Sequence, residues 1–124
     1  MNPITEDQII KIAGMFKALG DPTRLRIFEF LRRCPPSSLL SIDEKGEVRP
    51  LEGPTAGEVC CQITGANQIT SRISFHLKEL RQAGLITMKR RGKNMICRIN
   101  QEAVALLARY LEEQEKGGRN HECG

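Results

Sequence analysis

Residues 55–99 read TAGEVC CQITGANQIT SRISFHLKEL RQAGLITMKR RGKNMICRI, and the caps, turns and apolar spacings in this stretch decide the fold. Thr55-Ala56-Gly57-Glu58 matches a capping box, in which the threonine hydroxyl accepts from the first turn and the glutamate reaches back. A short helix is therefore expected over residues 55–64, and Gly65-Ala66-Asn67 reads as a turn. Over residues 68–83, Ile69, Ile73, Leu77 and Leu80 share one stripe of a second helix, whereas Gln68, Ser71, Phe75 and Lys78 face the other way. Gly84 ends that helix. Residues 85–89 and 95–99 then flank Arg90-Arg91-Gly92-Lys93-Asn94, the pattern of a hairpin with a basic tip. Short helix, tight turn, polar-faced helix and hairpin make a helix-turn-helix followed by a wing.

Upstream, residues 5–19 place Ile9, Ile12, Ala13, Phe16 and Leu19 on one helical stripe, with Ile10 and Met15 beside it. That is more apolar surface than one small core requires. Gly20 is expected to end this helix in the left-handed region, and Asp21-Pro22 to start another, with Asp21 as N-cap and proline in the first turn. The second helix should run to about residue 33, where Cys34-Pro35-Pro36 stops it. Residues 34–54 read as a long loop, within which Leu39, Leu40 and Ile42 before the turn Asp43-Glu44-Lys45-Gly46, and Val48 and Leu51 after it, could pair as two weak strands. Downstream, residues 101–115 carry Ala103, Val104, Leu106, Leu107, Tyr110 and Leu111 on a helix whose apolar stripe is again wide. The expected architecture is mainly α with a small β-hairpin wing: one domain over residues 1–116 and a flexible polar tail over 117–124.

The whole chain has 124 residues, 40% of them hydrophobic and 4% aromatic, which suits one compact domain with an aliphatic core. No apolar run approaches the ~18–20 residues that cross a bilayer, and residues 1–12 lack the pattern of a signal peptide, so a cytoplasmic protein without a membrane partner is expected. Five cysteines, an odd number, argue against a secreted disulfide framework. Of the net charge of +4, residues 67–100 contribute +7, from eight basic side chains and Glu79, and the remainder sums to −3. Such a concentrated positive field favours a polyanion, because neutralised phosphates release condensed counterions.

A helix is about as wide as the major groove of B-DNA, so Gln68, Ser71, Arg72 and Lys78 can meet base edges or phosphates while the apolar stripe holds the helix to its domain. Ser74 and Phe75 complete the outward set. His76 lies nearer the stripe and reads either as a phosphate contact or as a buried-edge histidine bonding a backbone group. Lys89, Arg90, Arg91 and Lys93 around Gly92 would place the wing on an adjacent groove or backbone.

Three segments carry a resemblance: Phe16-Lys17-Ala18-Leu19-Gly20-Asp21-Pro22-Thr23-Arg24-Leu25-Arg26-Ile27, then Ser74-Phe75-His76-Leu77-Lys78-Glu79-Leu80-Arg81-Gln82-Ala83-Gly84-Leu85-Ile86, then Arg91-Gly92-Lys93. Together they resemble the ArsR/SmtB family of winged-helix repressors over nearly the whole chain except residues 34–54 and the tail. The resemblance implies a homodimer built from the first and last helices. It also implies binding to an imperfect inverted repeat of double-stranded DNA, and release from it when an inducer arrives.

Metalloid-sensing members carry Cys-x-Cys in the helix before the turn; alignment from His76 places Cys60 on the second cysteine, Glu58 on the first, and Cys61 one position later. No cofactor is expected for DNA binding itself, and As(III) or another thiophilic ion is the expected inducer, held by Cys60 and Cys61 with Cys34 or Cys97 as a third sulfur. Oxidation or persulfidation of the vicinal pair is the alternative signal. A zinc site on the last helix is not expected, because residues 101–115 contain neither histidine nor cysteine. His121 and Cys123 in the tail are two further groups able to ligate, although a mobile end is the simpler reading of that segment. Two other classes compete with a regulator. One is a thiol enzyme with Cys60 or Cys61 as nucleophile and His76 as base, disfavoured because no redox Cys-x-x-Cys, phosphate-cradling loop or metal-hydrolase signature is present. The other is an interaction module whose wing binds an acidic protein.

Overall fold

The computed structural model describes residues 4–34, 40–42, 45–50 and 52–112. Leu39, Leu51, the stretch beyond Glu112 and the tail with His121 and Cys123 lie outside the described residues, as do the expectations placed on them. Helix α1 spans Glu6–Leu19 and is capped by Thr5, whose hydroxyl accepts from Gln8 N–H while the Gln8 side chain returns to the Thr5 N–H. Helix α2 spans Pro22–Arg33, with Asp21 accepting from the Arg24 N–H at 3.1 Å. That hydrogen bond lowers the pKa of the Asp21 carboxyl.

Gly20 corrects the first expectation. Its φ is −73°, right-handed rather than left-handed, and its N–H donates to Lys17 O. The N-cap of α2 follows at the very next residue, so the chain turns through one tight right-handed step instead of a left-handed cap.

Within the loop expected over residues 34–54, β1 (Leu40–Ile42) and β2 (Val48–Pro50) pair antiparallel, Ser41 opposite Arg49. Helix α3 spans Ala56–Thr64 behind the full capping box, and Gly65 closes it at φ +81°. Helix α4 is shorter than expected, Ser71–Gln82 rather than from residue 68. Thr70 is the reason: its side chain accepts from the Ile73 N–H and caps the helix, leaving Gln68 and Ile69 in the turn. Ile69 is accordingly exposed instead of belonging to the apolar stripe.

At the other end of α4, Gly84 adopts φ +81° and Leu85 N–H reaches back to Leu80 O at 3.0 Å, which redirects the chain into β3. Strands β3 (Ile86–Arg91) and β4 (Asn94–Ile99) pair with Arg91 opposite Asn94, so Gly92 and Lys93 form a two-residue turn, Gly92 at φ +61°. Asn100 ties the hairpin base to the last helix: Nδ2 donates to Gly84 O, its N–H to Leu85 O, and Oδ1 accepts from Glu102 N–H at the start of α5 (Gln101–Glu112).

Helix α2 lies at the centre and touches α1, α3, α4 and β4. One apolar core runs from Ile12, Met15 and Ala18 through Ile27, Phe28 and Leu31 to Val59, Ile73, Leu77 and Leu80, closed by Leu85, Ile86, Ala103 and Leu107. The stripe expected on α1 is therefore only partly the one buried. Ile12 and Met15 turn inward with Ala18, whereas Ile9, Ala13 and Phe16 are exposed. No helix among the described residues is long and apolar enough to cross a membrane.

Candidate nucleic-acid interface

Helix α4 is divided cleanly. Ile73, His76, Leu77 and Leu80 are buried, and Ser71, Arg72, Ser74, Phe75 and Lys78 are exposed, as is Gln68 in the turn before it. Phe75 keeps 53% of its surface, large for an aromatic among polar neighbours. On the wing, Lys89, Arg90 and Lys93 are exposed. The helix face and the wing thus present the cations Arg72, Lys78, Lys89, Arg90 and Lys93 to solvent, with hydroxyls and a ring between them.

His76 does not belong to that set. Only 7% of it is exposed, and its Nδ1 lies 3.1 Å from Arg24 Nη1. A guanidinium can only donate, so Nδ1 is the acceptor. Arg24 also donates Nε to Ala18 O at 2.7 Å, bridging the end of α1 to α4. Of the two readings of His76 in the sequence, the buried one holds as to burial, but its partner is a side chain 52 residues away rather than the backbone group expected. Arg24 was not singled out in the sequence, where a first-turn arginine gives no signal of its long-range partner.

Arg91 also departs from its neighbours. It is partly covered, and its Nη2 donates to Glu52 Oε2 at 3.0 Å. Bonded by Arg91, and near the charges of Lys89 and Arg98, the Glu52 carboxyl is held below its usual pKa. The backbone beneath is tied to the wing: Cys97 N–H donates to Pro54 O at 2.9 Å, and Thr55 bridges Ile96. A Cβ at Gly53 would lie 3.1 Å from Arg98 Cγ and 3.3 Å from Cys97 O, so a side chain there would require the wing to give by a few tenths of an ångström.

The cysteines are dispersed in environment. Cys60 is fully buried, its thiol donating to Gln68 O at 3.4 Å and lying 3.6 Å from the Thr64 hydroxyl, which links α3 to the turn before α4. Cys61 is exposed. Cys97 is buried in β4, where burial pushes its thiol up to about 12. Cys34, half-buried at the end of α2, is raised by burial and by the charge of Glu58. Among the described residues no group of three or more His, Cys, Asp or Glu is placed to hold a metal ion, so a site drawing on Cys60, Cys61, Cys34 and Cys97 is not preassembled in the chain. Of the groups named for the enzyme alternative, Cys60 is engaged with Gln68 and His76 with Arg24, whereas Cys61 is exposed.

No protein-family model matches the chain. A relative from Streptomyces lividans, described as a probable mercury resistance operon repressor, is 29% identical over 102 residues, covering 80% of this chain and 65% of its own length. The match thus spans less than two thirds of that relative. Among solved structures, an ArsR-like transcriptional regulator from Rhodococcus is 21% identical with a TM-score of 0.58, over 86% of this chain and 80% of that one. The homodimeric winged helix-turn-helix DNA-binding domain of a possible ArsR-family regulator from Mycobacterium bovis is 17% identical with a TM-score of 0.55, over 98% and 100%. The fold is a winged helix-turn-helix, and the resemblance read from the sequence meets the same group of structures.

Proposed function

We propose that the chain is a DNA-binding transcriptional repressor of the ArsR type that works as a homodimer and leaves its operator when a thiol-reactive inducer arrives. The observation that carries the DNA reading is the exposed face of α4, with Ser71, Arg72, Ser74, Phe75 and Lys78 standing beside a wing bearing Lys89, Arg90 and Lys93. A rigid helix with its apolar side locked in the core can offer that face to a major groove, while wing cations take phosphates of the flanking backbone. Arg24, reaching from Ala18 O to His76, keeps the helix at a set angle to α1.

The second copy belongs on the outer faces of α1 and α5. Ile9, Ile10, Phe16, Tyr110 and Leu111 are exposed there, and the Phe16 and Tyr110 rings stand 6.2 Å apart, joining the two helices into one apolar patch. Two-fold pairing of such a patch would present two reading helices to an inverted repeat.

For the inducer, Cys60 and Cys61 are the favoured sensors, with As(III) or a similar soft ion as the favoured ligand and oxidation or persulfidation as the second reading. Cys60 supports this because its thiol bonds the carbonyl of Gln68, two residues before the Thr70 cap of α4. Any reagent that takes this sulfur must break that bond next to the reading head. The mercury-resistance description of the Streptomyces relative points to the same soft-ligand chemistry.

The test is fluorescence anisotropy on duplex DNA from upstream of the chain's own coding sequence, titrated in turn with arsenite, antimonite, cadmium, zinc and a persulfide donor. Salt-dependent binding that a thiophilic reagent reverses is expected, and Cys60→Ser with Cys61→Ser should bind DNA yet no longer release it. No binding even at low salt would overturn the DNA reading; unchanged release by the double variant would remove the cysteine pair as sensor. Turnover of a thiol substrate by the isolated chain would favour the enzyme alternative.

A further inference from the structure

We infer that Glu52 is a built-in stand-in for a DNA phosphate, occupying Arg91 in the free protein and holding the wing's affinity for duplex below what its cations alone would give. The inference rests on the DNA-binding reading. Three observations converge on it. Glu52 Oε2 takes a direct hydrogen bond from Arg91 Nη2 at 3.0 Å, at the wing's turn, where Arg91 stands opposite Asn94. The same carboxylate feels the charges of Lys89 and Arg98, so one anion serves the tip and the body of the hairpin. Its placement is also not that of a loose surface residue: Pro54 O accepts from Cys97 N–H, Thr55 bridges Ile96, and Gly53 packs so close to Arg98 and Cys97 that a Cβ there would lie 3.1 and 3.3 Å from them.

A carboxylate and a phosphate oxygen make the same demands on a guanidinium, namely two acceptor lone-pair sets and a negative charge. When the wing meets a backbone phosphate, Arg91 can exchange one acceptor for the other, and the freed carboxylate then stands near the polyanion. Both effects subtract from binding. The pair itself is half-exposed, so it contributes little to folding, and its removal should be read out in DNA affinity rather than in stability. The stretch that supplies it, residues 34–54, lies outside the resemblance on which the DNA reading draws.

The experiment compares the full-length chain with Glu52→Gln, Arg91→Gln and the double variant, each binding a duplex of fixed sequence across a salt series, with thermal melts as a control for folding. Expected for Glu52→Gln is tighter binding by about fivefold near 0.15 M salt. The slope of log affinity against log salt should become steeper by up to about 0.9, the effect of one additional phosphate neutralised. In the Arg91→Gln background the same change should yield a smaller gain. Weaker or unchanged binding by Glu52→Gln overturns the inference, and weaker binding would assign the pair to holding the wing in position. A wild-type chain that binds no duplex overturns the DNA reading and this inference with it, whereas wild-type binding with no gain in Glu52→Gln overturns this inference alone.

Discussion

Helices α1 and α4 each bury one side in the same core, and they differ in what they leave outside. The outer face of α4 carries Ser71, Arg72, Ser74, Phe75 and Lys78; the outer face of α1 carries Ile9, Ile10 and Phe16, continued on α5 by Tyr110 and Leu111, the last 66% exposed. A helix with an inner apolar stripe and an outer polar face can stand against water or a polyanion. One with apolar residues on both sides leaves surface that water solvates poorly, and it needs protein on its second side. Under the proposed function, the contrast assigns two kinds of partner within one small fold: nucleic acid to α4, a second copy of the chain to α1 and α5.

The largest effect that would break this contrast is expected at Phe16. Phe16 leaves 41% of its surface open, and a two-fold interface would cover that remainder in both copies, so Phe16→Asp should cost the dimer roughly 3 kcal/mol, from the apolar area lost and from two carboxylates that would have to give up water there. Sedimentation should then show monomers at concentrations where the parent is dimeric. An unchanged dimer would move the second copy to another face. Next comes Arg72→Ala, which should weaken specific DNA binding by about 1–3 kcal/mol if the guanidinium reads a base edge, with the oligomeric state unchanged. An equal loss on all sequences would reassign it to the backbone. The smallest effect is expected for Lys78→Gln, a shallower salt dependence by about 0.9 in slope with little change in sequence preference, measured by anisotropy across a salt series. A loss of dimer in either α4 variant would blur the division between the two helices.

Much of this was legible from local chemistry. The boxes and caps at Thr55, Glu58 and Asp21, the hairpin about Gly92, though its strands run on to Arg91 and Asn94 and leave a tighter turn than the five-residue tip expected, and the alternation of α4 into a wet and a dry side all rest on partners within a few residues along the chain. Where local rules competed, the structure chose. Thr70 captured the start of α4 and removed Gln68 and Ile69 from it, and the immediate N-cap at Asp21 kept Gly20 right-handed. On α1 the period allowed two adjacent stripes, and the neighbouring helices selected Ile12, Met15 and Ala18 for the core.

What evaded the sequence reading are the pairings of residues whose partner is distant along the chain. Arg24 and His76 are 52 positions apart, and Glu52 and Arg91 are 39 apart. Their types are ordinary for exposed or edge positions, so nothing in the spacing announces the pairs. Gly53 could have been read only as a turn residue, because what it spares room for is the opposite strand.

By itself, the sequence determined which segments are helices and hairpins, where the charge gathers and which helix has a polar face, because those depend on short-range hydrogen bonding and on the periodicity of apolar side chains. Tertiary structure alone decided that His76 turns inward to Arg24, that Cys60 is sealed while Cys61 is exposed, and that a carboxylate from the inserted loop rests on the wing. Each of these is a contact between segments whose approach is set by how the core closes, and no local rule encodes that closure.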